Sequence, residues 1–237
     1  MGKQKISQSE IDGVQYRRAK LWQIILYACN AFIGMSIYSL IGLSSYVGSI
    51  GFGISTAVVG FILTGTRIFD GITDPLLAFV YDKVNTRFGK IRILMIVGFA
   101  IEALALLAMY DWVSGKNLGA LAFTAIYVIY VIGYTLVNMT AQTIPPLLTN
   151  DPKQRPTLGV YTTVFNYLLP MTLSIVLNVV LLPRYGGTYT LEFLAAACKL
   201  CLAIGFVGLI LVCIGVSELD KPENFEGLSR EKKPLKL

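Results

Sequence analysis

Arg67-Ile-Phe-Asp70-Gly-Ile-Thr-Asp74-Pro75 places one guanidinium and two carboxylates inside a long apolar stretch. At helical spacing, positions 67, 70 and 74 fall on one face by the i, i+3, i+7 rule. Working outward, apolar residues continue from about Ile54 to Tyr81. At 1.5 Å of rise per residue that length crosses a hydrocarbon core of about 30 Å. An ionisable group at such depth costs roughly 2.5–3.5 kcal/mol even on the lenient insertion scale, so the turn is read as functional or internally paired.

Similar apolar stretches fill most of the chain. Of its 237 residues 55% are hydrophobic and 14% charged, where a soluble domain carries about 25% charged residues. Six membrane-spanning helices are expected: Leu21–Ser45, Ile54–Tyr81, Ile93–Val113, Leu118–Leu148, Leu158–Leu182 and Leu191–Val216. Turn chemistry separates them at Gly48-Ser-Ile-Gly51, Ser114-Gly-Lys-Asn117, Asn150-Asp-Pro152 and Arg184-Tyr-Gly-Gly187. No apolar h-region precedes Leu21, so no cleavable signal peptide is expected. The layout is a polar N-terminal segment 1–20, a bundle 21–216 and a polar basic tail 217–237.

The net charge of +6 is sorted by loop, which points to membrane topology and not to nucleic acid. Sixteen Lys and Arg fall in the N-terminal segment, the second and fourth loops and the tail, against Lys116 and Arg184 on the other side. The positive-inside rule puts both termini in the cytoplasm of a multi-pass protein of the cell (plasma or inner) membrane, with lipid as its surroundings. The tail reads as a solvated flank. With no histidine and a lone Cys198-Lys-Leu-Cys201, zinc, haem and histidine acid–base chemistry are not expected. The four cysteines read as buried free thiols. No nucleophile–base pair or phosphate loop points to an enzyme.

Polar residues recur at one depth. Counted from the cytoplasmic ends, Asp70 and Asp74 lie about 12–18 Å deep, Asn30 about 13 Å and Asn138 about 16 Å. Tyr27, Asn30, Gly34 and Tyr38 form a stripe on the first span; Thr135, Asn138 and Gln142 repeat the i, i+3, i+7 spacing on the fourth; Asn166 adds an amide from the fifth. Interhelical glue explains single residues of this kind, at about 0.6 kcal/mol each. Convergence of several spans with two carboxylates favours a hydrated cavity for a small polar, sugar-like solute, lined by Tyr27, Asn30, Tyr38, Arg67, Asn138, Gln142 and Asn166. Prolines 75, 145, 146 and 170 free backbone carbonyls that can line it. The carboxylates with nearby hydroxyl and carbonyl oxygens suit sodium, or a proton, as coupling cation. Glu102 and Lys199 sit at matching depths; a structural ion pair between them is expected, or else Lys199 snorkels outward.

The 67–75 stretch, followed by Asp82-Lys-Val-Asn-Thr-Arg87-Phe-Gly-Lys90-Ile-Arg92, resembles the second helix and loop of the glycoside–pentoside–hexuronide:cation symporters, the melibiose permease-like family of the major facilitator superfamily. Tyr134-Thr-Leu-Val-Asn138 through Asp151 and Arg155 parallels that family's fourth helix and loop. The resemblance covers about residues 20–216, the N-terminal half of such a transporter. It implies an all-α fold with one 3+3 inverted repeat. It also implies a cation site of Asp70, Asp74 and Thr135, and a conformational latch of Asp82, Arg87, Lys90, Arg92 and Arg155. The chain departs from the pattern where Asn138 and Thr163 replace a sugar-binding aspartate and arginine. Its first helix brings no carboxylate near Cys29 and Asn30, and Ala78 replaces a usual glycine.

Facilitator halves are parallel repeats about an axis normal to the membrane. A second copy in the same orientation would rebuild the twelve-helix fold, so a homodimer working by alternating access is expected. The competing expectations are a non-transporting six-helix scaffold or partner subunit, and the N-terminal half of a twelve-helix symporter.

Overall fold

The computed structural model describes residues 8–11, 14–83 and 89–220, with side chains from Arg18 onward. Within 67–83 it describes the side chains of Ile68, Gly71, Thr73, Pro75 and Leu77 alone. A short antiparallel hairpin comes first, β1 (Gln8–Ile11) paired with β2 (Val14–Arg17) in the register Ile11↔Val14. It is the one departure from an all-helical chain among the described residues. Asp12-Gly13, the dipeptide left between the strands, is a preferred two-residue hairpin sequence.

The bundle contains α1 (Leu21–Gly51), α3 (Lys90–Trp112), α4 (Gly119–Leu148), α5 (Arg155–Arg184) and α6 (Leu191–Val216), each long and apolar enough to cross a membrane. Between α1 and α3 runs a continuous helix, α2 (Thr56–Lys83). The observed ends fall close to the expected spans. The largest shift is at α1, where Gly48-Ser-Ile-Gly51 does not turn but closes the helix as a π-helical segment, Val47–Gly51. The absent side chains there allow tight packing: a Cβ on Gly48 would collide with Val59 Cγ2, and one on Gly51 with Ser114 Oγ. The chain instead turns after Phe52. Similar π-helical segments end α3 and interrupt α5, at Ala108–Trp112 and Val176–Leu181.

One end of the bundle gathers basic segments. Arg18 pairs with Asp151, Gln154 Nε2 donates to the Ala19 carbonyl at 2.7 Å, and Gln23 Nε2 donates to Glu218 Oε2 at 3.3 Å. Asp220 reaches the start of α3, where its carboxylate accepts from the backbone N–H of Lys90 (2.9 Å), Ile91 (3.1 Å) and Arg92 (2.9 Å). These are the donors a helix N-terminus leaves unpaired, and the helix dipole favours an anion there. At the opposite end Gly115 N–H donates to the Gly51 carbonyl at 2.9 Å, and Tyr46 stacks on Tyr189 at 4.3 Å.

Two close approaches set the helix positions. A Cβ on Gly133 of α4 would lie 2.6 Å from the Glu102 nitrogen and 2.8 Å from the Gly98 carbonyl oxygen of α3. A Cβ on Gly208 of α6 would lie 2.6 Å from Phe32 Cβ of α1. Small residues let membrane helices reach backbone contact in this way. By contrast, α5 has 11% of its apolar window buried, against 44–50% for the other four apolar helices.

Candidate functional site

α1 is interrupted at Cys29, whose carbonyl accepts from Phe32 N–H at 2.9 Å, and Asn30 opens the continuing helix. That irregularity sits at the wall of a cavity of about 260 Å³. Asn30, Gly34 and Tyr38 line it from α1, Thr66 from α2, Glu102 from α3, Tyr127, Tyr130, Tyr134 and Asn138 from α4, and Asn166 from α5. Counted along each helix from the basic end, Asn30, Asn138 and Asn166 lie about 14–17 Å deep and Glu102 about 18 Å. These groups share the midplane of a core about 30 Å thick.

The cavity brings together four of the expected solute residues: Asn30, Tyr38, Asn138 and Asn166. Tyr38 is 68% exposed and stands at the open side. Tyr27 is buried instead against α4, its hydroxyl donating to the Ala141 carbonyl at 3.5 Å. Gln142 is exposed and does not line the cavity, and Thr135 is buried in α4 away from it. The reason is angular. At about 100° per residue, Gln142 lies about 40° to one side of Asn138 and Tyr134 about 40° to the other, and the cavity takes the Tyr134 side. The side chains of Arg67, Asp70, Asp74 and Asp82 lie outside the described residues, as does Arg87 altogether.

The aromatic rings of α4 form a ladder. Phe123, Tyr127, Tyr130 and Tyr134 follow one another with ring centroids 6.2, 5.2 and 6.1 Å apart. Their i, i+3/i+4 spacing is legible in the sequence, whereas the expected polar stripe on this helix runs through Thr135, Asn138 and Gln142. Aromatic faces with polar tips and nearby amides can hold a solute that offers both C–H faces and hydroxyls.

The expected Glu102–Lys199 pair does not form. Lys199 is 60% exposed in its side chain, and its Nζ lies 2.9 Å from Asp111 Oδ2. Glu102 is 1% exposed and faces inward, because the Gly98–Gly133 contact packs its backbone against α4. Equal depth is therefore not equal azimuth. Glu102 Oε2 has no hydrogen-bond partner among the described residues, nor has Asn30 Oδ1. Both line the cavity.

Of the expected latch, Lys90 and Arg92 belong to the Asp220 cap, with Arg92 Nε 3.3 Å from Asp220 Oδ2. Arg155 is exposed at the start of α5, beside a groove with Pro145, Pro146 and Thr149. Asp151, between α4 and α5, is held below the usual carboxylate range by the Lys153 N–H and then by Arg18, against the opposing effect of burial. All four cysteines are free thiols, three of them buried.

The sequence is also similar to known proteins. The family described as MFS/sugar transport protein matches residues 25–234. The chain is 30% identical over 167 residues to the isoprimeverose transporter of Lactiplantibacillus pentosus, covering 69% of this chain and 33% of that protein. It is 29% identical over 160 residues to the lactose permease of Lactobacillus helveticus, covering 60% and 24% respectively. Identity to the inner membrane symporter YicJ of Escherichia coli K12 is 30% over 137 residues, 57% of this chain and 30% of that one. The chain thus spans between about a quarter and a third of the length of these relatives.

Proposed function

The chain belongs to the MFS/sugar transport protein family, and from that premise we propose that it is half of a secondary transporter for a small sugar-like solute, working by alternating access. It is a multi-pass membrane protein. The observation that carries the proposal is the midplane cavity, with three amides, a carboxyl and a tyrosine ladder on helices α1–α5. Its volume of about 260 Å³ falls just below the about 300–1,000 Å³ of small-molecule sites, which suits a small solute better than a large one.

Cation coupling is assigned to Asp70, Asp74 and Thr135, with sodium or a proton as the ion. Its support is the pair of carboxylates within the α2 helix and the similarity to the symporter YicJ. Asp82, Arg87, Lys90, Arg92 and Arg155 are assigned to the latch at the basic end, which is placed in the cytoplasm with both termini by the positive-inside rule. The six-helix unit is taken as residues 21–216, flanked by the polar segments 1–20 and 217–237.

The second half is a second copy of the chain. Supporting this, Phe61 and Ile68 of α2 and Tyr167, Met171 and Val179 of α5 are all more than 60% exposed. This face adjoins a cavity whose Asn166 and Tyr38 suit lipid poorly, so protein is the better cover. Cross-linking in native membranes should give a species of twice the monomer mass; monomer alone would remove the homodimer. For coupling, reconstituted uptake of lactose should lose its cation dependence in Asp70→Asn and in Asp74→Asn. Unchanged dependence in both variants would make the assignment wrong.

A further inference from the structure

We propose that the Glu102 carboxyl anchors the hydroxyl groups of the solute, a role that rests on the transport reading above. Among the described residues, Glu102 is the carboxylate most fully withdrawn from water inside the bundle, at 1% exposure, and Oε2 has no partner. An acceptor in that condition keeps its whole desolvation cost until a donor arrives. Its position is fixed from behind, since α3 and α4 meet in backbone contact at Gly98, Glu102 and Gly133.

Another acceptor without a partner among the described residues, Asn30 Oδ1, lines the same cavity from α1. Two helices therefore present acceptors into one space, and what fills it must bring donors. Adjacent hydroxyls on a ring do so, and they can accept in turn from Asn138, Asn166 and the tyrosine hydroxyls. The chemical class is a neutral polyhydroxylated solute that donates to Glu102 and Asn30 together. An empty site of this kind also lowers the stability of the fold, and that gives the assignment a signature that a structural carboxylate lacks.

The experiment uses the purified full chain and its Glu102→Gln, Glu102→Ala and Glu102→Asp variants, with lactose and isoprimeverose as probes. Equilibrium binding and the thermal unfolding midpoint are both measured. Wild type should bind at least one sugar and gain midpoint on doing so. Glu102→Gln should match or exceed the wild-type midpoint without sugar, yet bind about tenfold more weakly or worse and lose the sugar-dependent gain. Glu102→Ala, which has no amide to substitute, should lose at least as much affinity, and Glu102→Asp should keep more than either. Lys199→Gln, outside the cavity, should bind as wild type does.

Wild-type affinity in the Gln and Ala variants would overturn the assignment and leave transport standing. A failure of both to fold, with Glu102→Asp folding and binding as wild type does, would make Glu102 a structural group and overturn it too. Wild type binding neither sugar would overturn both the transport reading and this one.

Discussion

Among the described residues three carboxylates are almost fully buried, and they are treated in two different ways. At the basic end, Asp220 is 1% exposed and meets three backbone donors and the Arg92 guanidinium. Asp151 there is 0% exposed, accepts from Lys153 N–H at 2.9 Å and pairs with Arg18. At mid-membrane, Glu102 is equally buried and has an oxygen with no partner among the described residues. A buried carboxylate supplied with every donor it can use holds structure together. One left short of donors adds nothing to the fold while empty, and its use lies in what enters the cavity.

The contrast is broken most directly at Asp220. Asp220→Ala should destabilise the chain by about 3 kcal/mol, since it strands the first N–H groups of α3 and the Arg92 charge together. Thermal unfolding in detergent reads this, and a midpoint equal to wild type would mean that the cap is ornamental. Gly133→Ala comes next at about 1–3 kcal/mol, because its Cβ would meet backbone on α3 and not a movable side-chain end. The same variant should widen the α3–α4 contact that seats Glu102, so loss of stability and loss of solute binding should appear together. Glu102→Gln is the inverse case: stability should hold or rise by about 1 kcal/mol, because a neutral amide costs less to bury than a carboxylate. A fall comparable to that of Asp220→Ala would erase the distinction between the two regions.

The smallest effect sharpens the comparison through pH. The folded state holds the Asp151 carboxyl below its ordinary range, so its ionised form stabilises the fold. That contribution is complete above the unfolded value of about 4 and drains away as pH falls through the folded one. The midpoint difference between wild type and Asp151→Asn should therefore be largest near neutrality and shrink below about pH 4. A constant difference would place the stabilisation elsewhere.

The sequence made depth legible and left azimuth hidden. Span positions follow from local composition, and α6 matches its expected bounds at both ends. Depth follows from residue count, and Asn30, Asn138 and Asn166 do line one cavity. Which face of α4 looks inward depends on where α3 touches it, and that is decided by Gly98 and Gly133, residues with no chemistry to flag. The stripe was consequently drawn through Thr135 and Gln142 when the cavity runs through Tyr127, Tyr130 and Tyr134. The same ignorance of azimuth paired Glu102 with Lys199. Asp220 was missed for another reason: it lies just past α6, where composition shows only a polar tail, and its partner helix begins 130 residues earlier.

The central claim is that the midplane cavity carries a sugar-like solute across the membrane. Counterflow in proteoliposomes loaded with unlabelled lactose tests it without needing an ion gradient. The account predicts transient accumulation of labelled lactose above the level in protein-free liposomes, abolished by excess isoprimeverose outside. Labelled lactose entering no faster than in protein-free liposomes would contradict it.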